Sequence, residues 1–148
     1  MILVDFPPYD FKIQSMNGKD QIFDPCRKKW VVLTPEEWVR QNILQYLIQI
    51  CKYPIELIAI EKTIQLGTLN KRFDILVYQG TTPWMIIECK EGNTALDEKT
   101  ILQLLQYQQV LNACYLIATN GHETIGAEIK LGNLHMLHQF PNYNNPNL

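Results

Sequence analysis

The sequence predicts one α/β domain whose core runs helix, three strands, helix, strand. Three observations carry that expectation. Thr34-Pro35-Glu36-Glu37 is a helix start, with a Thr cap, a proline in the first turn and acids on the positive end of the helix dipole. Residues 72–78 and 84–90 are apolar on both alternating faces, as central strands covered on two sides must be. The length of 148 residues, with 47% hydrophobic and 19% charged residues, supports one packed core and excludes wholesale disorder.

Taken in order, residues 1–33 read as an N-terminal arm. Pro7-Pro8 blocks regular structure, and Asn17-Gly18 between two strand-like runs signals a hairpin. Arg27-Lys28-Lys29 forms a basic cluster ahead of Trp30, for which a solvated charge run is the plain alternative. A single domain is expected over 34–140. Its first helix runs to about Cys51 with Ile43, Leu47 and Ile50 on one stripe, and Tyr53-Pro54 ends it. A strand over 55–66 and a turn through 67–70 lead into the paired strands, joined by a hairpin loop at 79–83. Gly92-Asn93 breaks the chain before a second helix over 97–112, with Ile101, Leu104, Leu105 and Leu111 apolar. A buried strand over 114–119 closes at Asn120-Gly121, residues 125–140 add edge strands, and a polar tail at 141–148 is expected to fray.

Composition removes several classes of function. Thirteen basic against fifteen acidic residues give a net charge of −2, with no global support for a nucleic-acid binder. The four cysteines, Cys26, Cys51, Cys89 and Cys114, show neither CxxC nor zinc spacing. Cys51 and Cys114 sit in apolar runs and are expected to be buried free thiols, which suits a reducing cytoplasm. The first residues lack the basic and apolar regions of a signal peptide, and no run approaches the about 18 apolar residues of a membrane span. GxSxG, HExxH and dinucleotide-binding glycine motifs are missing, and His122, His135 and His138 are expected at the surface or on edge strands.

The chemistry concentrates in the hairpin. Alternation puts Asp74 with Leu76 and Tyr78, and Phe73 with Ile75 and Val77 on the other face. On the partner strand Trp84, Ile86, Glu88 and Lys90 share a face, opposite Met85, Ile87 and Cys89. With Thr81 at the loop centre, Asp74 lies opposite Glu88, and Lys90 follows on the same face. Two opposed carboxylates in a buried setting repel, and a divalent cation between them would relieve the cost. Mg²⁺ suits such a pair, and Lys90 could then orient a water or stabilise charge on a phosphate. The competing reading pairs Asp74 with Lys71 or Arg72, and Glu88 with Lys90, at strand ends. On the first helix Glu36 and Arg40 extend the apolar stripe, while Glu37 begins the neighbouring one, so periodicity leaves the choice of acid open. On the second, Gln103 and Tyr107 stand four apart, either bracing a phosphate or water contact or forming a polar patch.

An acid on the first helix, D…ExK on a hairpin and QxxxY on the next helix resemble the PD-(D/E)XK nuclease superfamily. Within it the chain most resembles the N-terminal nuclease domain of type I restriction enzyme R subunits, through TPEEWVRQ (34–41), RFDILVY (72–78), MIIECKEG (85–92), QLLQY (103–107) and ATNG (118–121). The resemblance implies a restriction-endonuclease-like fold, a central mixed sheet flanked by helices. It also implies Mg²⁺-dependent hydrolysis of DNA, with Mn²⁺ as a substitute, and an endonuclease more than an exonuclease. By position Asp74 and Glu88 would be metal ligands together with the Cys89 backbone carbonyl, Lys90 the catalytic lysine and Glu36 the supporting acid. Gln103 and Tyr107 match the glutamine–tyrosine element. Arg27, Lys28, Lys29, Lys71 and Arg72 remain to contact DNA phosphates. Phe73 replaces the proline of the name motif, and no GxxxxGK[ST] is present, so DNA translocation is not expected of these residues. Partners implied are DNA and other restriction-modification or helicase subunits. A homodimer would supply the two sites that cutting both strands needs. The alternative is a nuclease-fold accessory module that binds nucleic acid or a protein without cutting.

Overall fold

A computed structural model describes residues 1–6 and 8–143. Pro7, half of the proline pair, and residues 144–148 of the polar tail lie outside the described residues. The N-terminal region is a three-stranded antiparallel sheet of β1 (Ile13–Met16), β2 (Lys19–Asp24) and β3 (Lys29–Val32). Asn17 and Gly18 turn β1 into β2 with φ of 53° and 75°, the paired positive values of a tight hairpin turn. This region is not detached from the rest. Ile2 is buried in the main core and its N–H donates to the Thr124 carbonyl at 2.8 Å.

Helix α1 (Pro35–Gln49) starts as the sequence indicates, with Thr34 Oγ1 accepting the Glu37 N–H at 3.0 Å. Val39, Ile43, Leu44 and Leu47 form its buried face, each such side chain contributing about 1.5–3 kcal/mol by leaving water. Ile50, expected on the same stripe, is exposed, because the helix has ended there. A short 3₁₀ turn (Ile55–Leu57) then leads into a six-stranded sheet: β4 (Ile58–Leu66), β5 (Leu69–Gln79), β6 (Thr82–Cys89), β7 (Tyr115–Thr119), β8 (Thr124–Lys130) and β9 (Asn133–Met136), in that spatial order. Among the described residues only β6 and β7 run parallel, joined by the crossover helix α2 (Glu98–Leu111), capped by Asp97 and ended by Asn112 in the left-handed region. The sheet is therefore mixed and flanked by helices, as expected.

The β5–β6 connection is shorter than expected. Gly80 and Thr81 alone make the turn, Pro83 is already in the strand, and a bulge falls between Val77 and Tyr78. The bulge restores the register, so Ile75 pairs with Ile87 one step short of Asp74 and Glu88. Ile75, Val77, Met85, Ile87 and Cys89 lie in the core under α1. Phe73 does not join them: it packs with Leu76, Ile86 and Leu104 under α2, its ring 4.9 Å from that of Tyr107. The strict alternation over Phe73, Ile75 and Val77 is thus corrected. Glu61, between the residues that pair with Phe73 and Ile75, has φ of 51° and interrupts the regular pleat there.

All four cysteines are free, but it is Cys89 that is buried, while Cys114 is exposed just before β7. Of the tail expected to fray, residues 141–143 are held. The Tyr53 hydroxyl donates to the Pro141 carbonyl at 2.6 Å, and the Tyr143 ring lies 5.3 Å from Trp84. Among the described residues no helix is long and apolar enough to cross a membrane.

Candidate active site

β6 and β7 end side by side at Cys89 and Thr119, and α1 begins beside them. The open end of a parallel pair flanking a crossover is where α/β sheets usually gather functional groups. Register carries Asp74 of β5 next to Glu88 of β6, and Asp74 Oδ2 accepts the Cys89 N–H at 2.8 Å. The Asp74–Glu88 arrangement follows the sequence expectation.

Glu88 is only 8% exposed, and its Oε2 is buried with no hydrogen-bond partner among the described residues. Burial first, and the facing Asp74 second, push its carboxyl up to about 8, with Lys90 pulling the other way. Lys90 Nζ sits 4.0 Å from Glu88 Oε1 and donates to Gln103 Oε1 at 3.4 Å. Gln103 Nε2 in turn donates to the Tyr107 hydroxyl at 2.6 Å, which fixes the amide with its oxygen toward the lysine. The i, i+4 spacing on α2 makes this pair possible, and the Phe73 ring backs Tyr107 from the sheet. Cys89, fully buried, has its thiol pushed well up by burial and Asp74, and it offers no nucleophile.

Glu36 and Glu37 face different surroundings. Glu36 is half exposed and near enough to Glu88 for its charge to raise that carboxyl further. Glu37 is buried on the other side, accepting from Arg27 at 2.6 Å and from Gln41 at 3.3 Å. Between them runs Arg40, 4% exposed, within 3.1 Å of Glu36, 2.9 Å of Glu61, 3.5 Å of Glu37 and 3.6 Å of Asp74. Burial works against the Arg40 charge, and Glu37, Asp74 and Glu61 outweigh it.

The basic residues expected to meet DNA separate into three groups. Arg27 is removed from that set: its guanidinium is enclosed by Asp24, Glu37 and Glu61, leaving it no free face for a phosphate. Lys28 and Lys29 are exposed, and Lys28 lines a cleft with Ile55 and Glu56 ahead of β4. Lys71 and Arg72 precede Asp74 on β5 by three and two residues, about 7–10 Å along the strand, with Lys71 Nζ 5.8 Å from the centre of the Tyr107 ring. Sequence reasoning missed Asp24 and Glu61. Asp24 carried a local signal, the Asp-Pro turn in which Oδ1 accepts the Cys26 and Arg27 N–H groups at 2.7 and 2.9 Å. Glu61 carried none.

A mixed sheet between helices, with paired acids and a lysine at the open end of its central strands, defines a domain of the restriction-endonuclease-like class. The family described as Type I restriction enzyme R protein N terminus (HSDR_N) matches residues 35–141, and the chain belongs to it. Among solved structures, a fragment assigned to an HsdR subunit of a type I restriction enzyme from Vibrio vulnificus YJ016 has the same fold, with a TM-score of 0.56 at 20% identity. The match covers 74% of this chain and 24% of that one, so the chain spans about a quarter of the fragment. No curated protein sequence matches this chain.

Proposed function

We propose that the domain hydrolyses DNA phosphodiester bonds with a divalent cation, Mg²⁺ or Mn²⁺, held by Asp74, Glu88 and the Cys89 carbonyl. The observation that carries this reading is the facing buried pair of Asp74 and Glu88: the two carboxyls are close enough to share a proton, and Glu88 Oε2 has no N–H donor among the described residues. A hard, oxygen-only donor set of this kind fits Mg²⁺, which takes one or two carboxylates and completes its shell from water and substrate phosphate. Among the described residues no group of three His, Cys, Asp or Glu side chains is placed to hold a metal ion, and the Cys89 carbonyl enters the proposed set from the family resemblance. A cation held there would supply Lewis-acid chemistry at phosphorus and a nucleophile at neutral pH.

The chain's own residues do the rest. Lys90, steadied by Gln103 and Tyr107, keeps a positive charge where negative charge grows on the phosphate. Arg40 fixes the Asp74 carboxylate from the α1 side, and Glu36 adds a third acid at the rim. Lys71 and Arg72, three and two residues from Asp74 on the same strand, would meet flanking phosphates. Double-strand cleavage would bring two such domains together, and the partners would be DNA and other restriction-modification subunits.

The test is cleavage of supercoiled and linear DNA in Mg²⁺ or Mn²⁺ by wild type, Asp74→Ala and Lys90→Ala. A loss of at least about 100-fold in both variants is expected. Equal background cleavage by all three proteins, or none, would overturn the nuclease reading. DNA binding without cutting would instead favour the accessory module.

A further inference from the structure

We propose that the pocket between α1 and the loops after β6 and β7 receives one unstacked nucleobase of the strand being cut. The inference rests on the nuclease reading above and names a subsite of it. A cavity of about 330 Å³ opens there, lined by Pro35, Trp38, Asn42, Gly92, Asn120 and His122 among others. That volume lies at the small end of ligand pockets and suits one aromatic ring system.

Its walls belong to the same three chain segments as the proposed site. Pro35 precedes Glu36, Gly92 comes two residues after Lys90, and Asn120 follows Thr119, whose carbonyl accepts the Lys90 N–H at 2.9 Å. A base in this pocket would therefore belong to a nucleotide adjoining the phosphate under attack.

The chemistry is that of stacking. Trp38 is 44% exposed, and its indole is steadied from one side by Phe11, with ring centres 5.2 Å apart. Asn42, whose Nδ2 donates to the Trp38 carbonyl at 2.8 Å, and His122 add an amide and an imidazole to the lining, and base edges carry matching donors and acceptors. The floor is rigid. Asn120 Nδ2 donates to the Thr94 carbonyl at 2.9 Å, and its Oδ1 accepts the N–H groups of His122 and Glu123 at 2.9 and 2.7 Å. At Gly92 a Cβ would come within 3.0 Å of the His122 ring, so the glycine leaves that ring its place. The charge balance points the same way. With a net charge of −2 and Arg27 enclosed by acids, the chain as a whole attracts phosphates weakly, and base stacking supplies affinity that every base can give.

The experiment is an abasic scan: cleavage of single-stranded and end-frayed oligonucleotides in Mg²⁺, with one base at a time removed near the cut. For wild type, removal at one position should raise KM about tenfold, the weight of one base on an aromatic ring. Trp38→Ala should show that higher KM on the intact strand and no further loss at the abasic position. Trp38→Phe should restore the sensitivity, which separates stacking from any effect on folding. Cleavage with a flat scan, or with Trp38→Ala as sensitive as wild type, overturns the subsite and leaves the nuclease reading standing. A flat scan with quenching of Trp38 emission by dAMP also overturns it, assigning the pocket to a free nucleotide. No cleavage of any strand overturns both.

Discussion

Two clusters of charge meet at the start of α1, and they are built on opposite principles. On the α1–β4 side, Asp24, Glu36, Glu37 and Glu61 surround Arg27 and Arg40, and each of these acids lies within ion-pair distance of a guanidinium. On the β6–α2 side, Glu88 has a lysine at 4.0 Å and an oxygen with no donor. Asp74 belongs to both, touching Arg40 on one side and the Glu88 carboxyl on the other. The first cluster pairs every acid with a guanidinium and holds geometry, although Arg40 Nε and Nη1 and Gln41 Oε1 make no aligned hydrogen bond among the described residues. The second is left under-satisfied, the state a buried pair of acids reaches when an external cation is to complete it. A chain built only for stability would neutralise Glu88, so the contrast separates the scaffold from the working end.

The largest expected effect comes from opening the closed cluster. Arg40→Met keeps length and apolar stem but leaves Glu37 and Asp74 facing each other without the intervening charge. Removing one partner of a buried ion pair costs about 3–5 kcal/mol. Thermal unfolding should therefore begin roughly 10 °C lower. A melting temperature within a degree or two of wild type would mean the arginine network is ornamental and the contrast is false.

The second prediction has the opposite sign. Glu88→Gln removes a carboxyl whose ionisation burial and Asp74 oppose. Above about pH 8, where that carboxyl is charged, the metal-free chain should therefore gain about 1–2 kcal/mol, or a few degrees of melting temperature, and the gain should shrink as the pH falls below 8. The same variant should lose the stabilisation that millimolar Mn²⁺ gives wild type, since an amide is a far poorer ligand. If Glu88→Gln instead destabilises as Arg40→Met does, the two clusters are one structural network and the proposed cation site fails with it.

How far the sequence reached follows the same division. Asp74, Glu88, Lys90, Gln103 and Tyr107 were legible because short-range periodicity places them: alternation and pairing on β5–β6, and the i, i+4 spacing on α2. The register survived even though the loop was misjudged, because the bulge between Val77 and Tyr78 cancels the one-residue shift that the tighter turn introduces. Arg27 was misread because two of its three acid partners lie 10 and 34 residues away, and no local pattern announces a pairing that depends on packing. Phe73 was placed on the wrong face for a related reason, since the break in the pleat comes from Glu61 on the neighbouring strand. The different surroundings of Glu36 and Glu37 likewise needed the sheet, because both acids start plausible stripes of the same helix.

The smallest expected effect uses the cysteines as probes of closure. Cys26 sits within the Asp24–Arg27 turn, and burial, with Asp24 adding to it, pushes its thiol up to about 12. At pH 8 roughly one such thiol in ten thousand would be the reactive thiolate. Because the pH stays below that value, its labelling rate should climb about tenfold for each pH unit between 7 and 9 and still remain slow. Cys89 and Cys51 are likewise held back by burial, while Cys114 is exposed. Native protein treated with a thiol reagent at pH 8 should therefore take up one equivalent quickly, two more slowly, and that of buried Cys89 on unfolding. Cys26 labelling at the rate of Cys114 would show that the arginine network opens to water in solution. The closed and the open cluster would then differ only in the resting structure, and the stability assigned to Arg40 would have to come from elsewhere.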